Sequence, residues 1–179
     1  MSYVSEVRTD APARYRSPLQ QRVYETLAAL AIPFERVETD EIVTMEDCAA
    51  VNERLQMRMV KTLFLCSRKR DAHYLFITAG DKPFRTRAFD RALGVSRVSF
   101  APAEEMEAML GTRVGAATVL SVLLDGEKRV QVVFDRAVAE EEWYGCSDGT
   151  TTGYLKLRTE DVLRVFLPFA GHEPVLAEV

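Results

Sequence analysis

With 179 residues, 47% of them hydrophobic and 28% charged, the chain has the size and balance of one globular domain with its own core. No apolar stretch approaches the roughly 20 residues that a membrane-spanning helix needs, so a helical membrane protein is excluded. The net charge of −4 is unevenly spread: between Arg54 and Arg97 stand eleven basic residues and only three acidic ones, Asp71, Asp81 and Asp90. Such a basic middle is either the footprint of a polyanion or a set of solvated loops and helix faces, and charge alone does not choose.

In chain order, residues 1–16 lack the hydrophobic centre of a secretory leader and read as a flexible arm, leaving residues 17–179 as the domain. Ser17-Pro18 is an N-cap followed by proline at the first helical position, and Leu19, Val23, Leu27 and Leu30 recur at helical spacing. Pro33 stops that helix and "FERVE" reads as a short strand. Thr44-Met45-Glu46-Asp47 resembles a capping box that opens a second helix carrying Cys48, Val51 and Leu55. "KTLFLCS" and "HYLFITA", separated by "RKRDA", predict a hairpin. "GDKPFRTRAFDRALG" turns into a helix that ends at Gly94. "RVSFA" predicts a strand, and "APAEEMEAMLG" a helix with acidic residues in its first turn. "TVLSVLLD" and "RVQVVFDRA" flank Gly126-Glu127-Lys128 as a second hairpin. "YLKLR" is the last clear strand, Thr159-Glu160-Asp161 caps a helix to about Leu167, and "EPVLAEV" closes the chain. Strands mixed with helices without a regular βαβ repeat predict a single α/β domain with a mixed, largely antiparallel sheet.

Most catalytic chemistries lack their residues here. Cys48, Cys66 and Cys146 are odd in number and without CxxC spacing, which argues for reduced thiols in the cytoplasm and against a zinc site. His73 and His172 form no metal-ligand pair, and the metal prediction is none. His73 reads as a surface residue and His172, in "GHEP", as part of a turn. There is no GxSxG elbow, no Walker loop and no GxGxxG before a helix. Two polar segments stand out. "GCSDGTTTG", residues 145–153, is too rich in hydroxyls and glycine for a core and offers backbone N–H groups and hydroxyls to an anion or carbonyl, or is a plain loop. Gly80-Asp81-Lys82 follows a buried strand, where sites tend to sit, or is an ordinary turn.

Lys61 opens the apolar run "MVKTLFL". Alternation puts it on one face with Leu63 and Leu65, opposite Thr62, Phe64 and Cys66. It therefore either snorkels out at the strand end or points into a pocket where an anionic or carbonyl-bearing ligand meets it.

"TMEDCAAVNERL", "MVKTLFLCSRKR", "LFITAGDKPFRTRAFDRALGVSRVSFAPAEEMEAMLG", "VLLDGEKRVQVVFDRAV" and "LRTEDVLRVFLPFAGHEPV", in this order from about Leu19 to the C-terminus, resemble the YbaK/ProX family. This is the prolyl-tRNA synthetase-associated editing domain, and its free-standing ProX-type members are the nearest in pattern. The resemblance implies a curved mixed sheet around a small pocket. It also implies trans-editing, the metal-free hydrolysis of the ester joining alanine or cysteine to tRNA(Pro), with no cofactor. It gives Lys61 the catalytic position, with Thr62, Gly80, Asp81, Gly115, Ser147, Thr151 and Thr152 on the substrate. The implied partners are the acceptor end of tRNA and prolyl-tRNA synthetase, with no membrane and a cytoplasmic setting. The sequence departs from the family pattern at the substrate side. Ser147 stands where a histidine is expected, Asp148 where proline is, Thr151 near an asparagine, and Val114 and Val119 where prolines are common. These departures motivate an alternative: the same pocket, catalytically silent, binding an amino acid or an aminoacyl-tRNA.

Overall fold

A computed structural model describes residues 3–179; residues 1 and 2 of the expected arm lie outside the described residues. Ser17 caps α1 (Pro18–Ala29) by accepting the Gln20 N–H, with Pro18 in the first turn as the sequence predicts. Residues 4–8 of the expected arm run beside β1 (Glu35–Glu38), with Ser5 N–H donating to the Glu38 carbonyl and Arg8 and Arg36 exchanging backbone hydrogen bonds. Thr44 supplies half of the expected box: its hydroxyl accepts the Asp47 N–H and donates to the Asp47 carboxylate, which therefore does not reach back to the Thr44 N–H. A 3₁₀ turn, Glu46–Cys48, then leads into α2 (Ala49–Leu55).

The predicted hairpin is present: β2 (Val60–Cys66) and β3 (His73–Ala79) pair antiparallel along their whole length. α3 (Thr86–Leu93) ends at Gly94 in the left-handed conformation, and α4 (Ala103–Leu110) ends likewise at Gly111. Between them β4 is only Ser99–Phe100. The second predicted hairpin is absent. Val119–Leu124 forms a 3₁₀ helix capped by Thr118, and β5 (Val130–Asp135) pairs parallel to β3. Val119 through Leu123 are all buried and only Leu124 at the end is exposed, so this run shows no alternation of burial and its periodicity cannot distinguish strand from helix.

α5 (Arg136–Ala139) leads to β6 (Trp143–Ser147) and β7 (Gly153–Arg158), followed by α6 (Thr159–Asp161), a π-helical turn (Val162–Phe166), α7 (Leu167–Phe169) and β8 (Val175–Ala177). The helix expected to reach about Leu167 thus continues two residues further, although the Thr159 hydroxyl has no hydrogen-bond partner and does not cap it.

The domain is α/β, and its strands divide into two sheets. β1-β7-β6 is antiparallel, and β4-β2-β3-β5-β8 is mixed. A single bridge, Met59 to Gly145, joins them. The main core lies between one face of the larger sheet, α1, the 3₁₀ helix and the C-terminal helical segment. A second cluster packs α2 on the smaller sheet, and a third packs α3 on the opposite face of the larger one. Among the described residues no helix is long and apolar enough to cross a membrane.

Both histidines are internal. His73 is buried against Glu105 (2.8 Å) rather than at the surface, because its ring packs on Phe64. His172 bridges the Ala170 carbonyl and the Asp125 carboxylate, locking the C-terminal turn to the 125–130 turn. Burial pushes the Asp125 carboxyl up, but the His172 hydrogen bond and the N–H groups of Arg129 and Val130 hold it below its usual 3.8. Ionisation is therefore favoured by folding. The stability it contributes is present above about pH 3.8 and lost as the pH falls below it. Asp125→Asn should flatten the decline in urea midpoint between pH 5 and pH 3; an unchanged decline would show that this carboxylate is not a source of acid sensitivity.

Candidate active site

The site begins as an interrupted strand edge. β3 covers one edge of β2 from Val60 to Cys66. On the other edge, β6 touches only at Met59, and β4 pairs only with Leu65 and Cys66. Just past that pairing, the Ala101 N–H donates to the Phe64 carbonyl at 2.9 Å. Strand geometry turns alternate residues to the same edge, so the N–H and C=O of Thr62 face the gap, where no described strand pairs with them.

The gap opens into a cleft of about 230 Å³. Thr62 and Leu63 form one wall, Met45 and Gly115 come from two loops, and Ser147 and Tyr154 come from the smaller sheet. Its volume is below the roughly 300–1,000 Å³ of clefts that take drug-sized ligands, so it suits a small group. Gly115 has φ +91, a conformation that L side chains rarely adopt, and a Cβ there would press on Val43 at 3.3 Å. Glycine thus keeps this loop close to the Val43–Met45 segment.

Lys61 lies at the cleft wall, partly buried, with its ammonium donating to the Lys82 carbonyl at 2.5 Å. That carbonyl belongs to the turn beginning at Gly80, where a Cβ would meet the Met59 carbonyl at 2.5 Å. Gly80 therefore permits the turn to lie against the start of β2. Lys82 itself is neutralised: its ammonium pairs with the buried Asp135 at 2.7 Å, and Asp135 also accepts the Thr78 hydroxyl. Lys61 has no carboxylate partner among the described residues. Of the two neighbouring lysines, only Lys61 brings an uncompensated charge to the cleft.

The hydroxyl-rich segment expected to lie outside the core is largely buried, from Cys146 through Thr151. It is buried because its polar groups satisfy one another. Ser147 Oγ donates to the Thr150 carbonyl (2.6 Å) and accepts the Gly149 N–H (3.0 Å). The Asp148 carboxylate accepts from Gln20 Nε2 (2.8 Å), the Tyr24 hydroxyl (2.9 Å), and both the N–H and hydroxyl of Thr150. Asp148 thereby ties α1 to the loop behind the cleft. Its importance has no sequence motif; the Gln20 and Tyr24 donors come from more than 120 positions away.

The structure brings Lys61, Thr62, Gly115 and Ser147 together in the cleft. Gly80 and Asp81 line a neighbouring depression that shares Met45 and Met59 with it. Thr151 and Thr152 face another depression, where Thr151 bonds with Glu41 and Arg113. Tyr154, Met45 and Thr44 also line the cleft; Thr44 and Met45 carry only a capping signal in the sequence, and Tyr154 none beyond its strand. Tyr154 donates its hydroxyl to main-chain carbonyls of Thr151 and Ile42, and burial pushes its phenol well above the ordinary range.

Among the described residues no activated nucleophile faces the cleft. Burial, reinforced by Asp47, pushes the Cys48 thiol up to about 11, and burial pushes Cys146 up to about 12. Ser147 is engaged at both its donor and acceptor positions and has no histidine beside it. What the arrangement offers is a cation and a free backbone N–H beside a small volume. Groups of this kind are able to orient and polarise a carbonyl.

The profile of the family described as the aminoacyl-tRNA editing domain matches residues 39–165, which contain every cleft residue named above. The chain belongs to this family. A prolyl-tRNA editing protein, ProX, from Acetoanaerobium sticklandii is 25% identical over 146 residues, covering 82% of this chain and 89% of its own. Prolyl-tRNA synthetase associated domain-containing protein 1 from Bos taurus is 31% identical over 170 residues, covering 93% and 96%. A solved structure described as a candidate trans-editing enzyme for prolyl-tRNA synthetase has a TM-score of 0.65 at 16% identity. It covers 92% of this chain and 99% of its own, and shows the shared fold. This editing domain thus has the α/β architecture that the sequence resemblance implies.

Proposed function

We propose that this editing domain acts in trans as an aminoacyl-tRNA deacylase, releasing a small amino acid such as alanine or cysteine from mischarged tRNA(Pro). The single observation that carries the reading is the gap in the β2 edge at Thr62, beside the uncompensated ammonium of Lys61. In this reading the amino acid enters the small cleft, Lys61 holds the phosphate or carbonyl region of the 3′ end, and the Thr62 N–H polarises the ester carbonyl. Water adds to that carbonyl carbon, the bond to the ribose oxygen breaks, and a proton passes to that oxygen. The products are a free amino acid and a tRNA with its 3′ hydroxyl restored. An ester is already activated, so positioning and polarisation suffice without an acyl-enzyme. Selectivity rests on cleft size, which excludes larger residues sterically.

The proposed substrate set is Thr62, Gly115 and Ser147 at the ester and amino acid. Gly80 and Asp81 hold the turn that supports Lys61, and Thr151 and Thr152 back the Gly115 loop. The proposed editing unit is residues 17–179, since Gln20 and Tyr24 of α1 bind Asp148 behind the cleft. Its proposed partners are the tRNA acceptor end and prolyl-tRNA synthetase, in the cytoplasm.

One observation favours a second reading. Ser147 occupies the position of an expected histidine and its hydroxyl is already committed, which suits a silent binder of aminoacyl-tRNA or amino acid. A panel of mischarged tRNAs separates the two. Accelerated release of a small residue from tRNA(Pro) supports the deacylase; saturable binding without release selects the binder.

A further inference from the structure

The cleft shares its Lys61–Leu63 wall with a second groove of about 520 Å³ on the α3 side of β2. Phe84 and Phe100 stand in this groove as an edge-to-face pair, ring centroids 5.9 Å apart at 69°. Phe84 is anchored inward on Phe76 and Phe89, whereas Phe100 is 60% exposed. Arg85 and Arg87 rim the groove, and Arg91 and Arg97 are exposed on the same helix and its following loop. Among the described residues none of these four arginines is in a salt bridge. The nearby Asp90 makes no ion pair with them among the described residues; its carboxylate accepts the backbone N–H groups of Arg97 and Val98. Open aromatic rings beside uncompensated arginines fit a ligand that has both flat apolar faces and regularly spaced negative charges. A single-stranded nucleic acid has both.

We infer that the Phe84–Phe100 groove is the seat of the unpaired nucleotides at the 3′ end of a tRNA, one base stacking on Phe100 while Arg85 and Arg87 meet the flanking phosphates. This rests on the proposed reading of the adjoining cleft, which receives the aminoacyl group; Lys61, on the shared wall, then lies where the two parts of the substrate join. The continuity of groove and cleft also sets the polarity of the strand, with its 3′ terminus at Lys61 and the preceding nucleotides running toward α3.

The test compares two substrates that share the aminoacylated terminal adenosine, one with and one without the rest of the tRNA: alanyl-tRNA(Pro) and the 3′-alanyl ester of adenosine. Phe100→Ala should lower kcat/KM for the tRNA by about ten- to a hundred-fold, mainly through KM, while leaving the adenosine ester unchanged. Arg85→Gln with Arg87→Gln should act in the same direction and reduce the salt dependence for the tRNA alone. Equal loss on both substrates, or no loss on the tRNA, overturns the inference. Binding of a labelled four-nucleotide RNA with the tRNA 3′ sequence separates this from failure of the deacylase reading. If the wild type hydrolyses neither substrate, weaker RNA binding by Phe100→Ala still supports the groove, and equal RNA binding overturns it. Binding of anionic lipid vesicles with no binding of the RNA also overturns it.

Discussion

Lys61→Ala should reduce the single-turnover rate of alanyl-tRNA(Pro) deacylation by about a hundred-fold or more, the usual consequence of removing one charge-stabilising donor from a site that works by polarisation. The fold should survive. The Lys61 ammonium makes one hydrogen bond, to the Lys82 carbonyl, and its loss costs about 1 kcal/mol, or about 2–4 °C in Tm for a chain of this size. The two readouts therefore separate a catalytic role from a structural one. Lys61→Arg keeps the charge but replaces a compact ammonium with a planar fork, so it should recover only part of the rate. A Lys61→Ala variant that deacylates at the wild-type rate would remove this side chain from the mechanism.

The largest stability effect is expected at Asp148. Its carboxylate is 1% exposed and receives Gln20, Tyr24 and two groups of Thr150, and among the described residues no cation pairs with it. Asp148→Ala leaves these donors buried without an acceptor, each unsatisfied group costing about 1–3 kcal/mol before relaxation. A net loss of about 3 kcal/mol or more, equivalent to about 6–12 °C in Tm, is expected. Because the same carboxylate fixes the loop that follows Ser147, any folded fraction should also bind aminoacyl-tRNA less tightly. Asp148→Asn preserves shape and one acceptor and should cost less. Thermal unfolding of the two variants checks the order; an Asp148→Ala protein as stable as wild type would mean that the loop repacks without this anchor.

How far the sequence discloses this arrangement depends on how local the determining interactions are. The Ser17 cap, the Thr44–Asp47 hydrogen bond, the Gly94 and Gly111 helix ends and the β2–β3 hairpin all rest on neighbours within a few positions, and all are legible. Val119–Leu124 is not, because a run buried continuously from Val119 to Leu123 carries no periodicity. The burial of residues 146–151 is hidden for a related reason. Polar composition predicts exposure unless the partners are known, and the partners of Asp148 lie on α1. Alternation groups Lys61 with Leu63, but it leaves open what the amine meets. That is decided by the turn after β3, which folds back on the start of β2 and offers the Lys82 carbonyl, whereas the unpaired edge at Thr62 is decided by where β6 stops and β4 begins. The separation of Gly80 and Asp81 from Thr151 and Thr152, on different depressions, is likewise visible only once the two sheets are placed.

The central claim is that the unpaired edge at Thr62 receives the ester of an aminoacylated 3′ end. Its most direct test is the backbone amide spectrum of ¹⁵N-labelled protein titrated with a non-hydrolysable 3′-alanylamido adenosine. The account predicts saturable shifts at Thr62, Leu63, Gly115 and Ser147, with Thr62 N–H moving downfield as it gains an acceptor. Saturable binding that leaves Thr62 unmoved, or that shifts residues remote from the cleft instead, would contradict it.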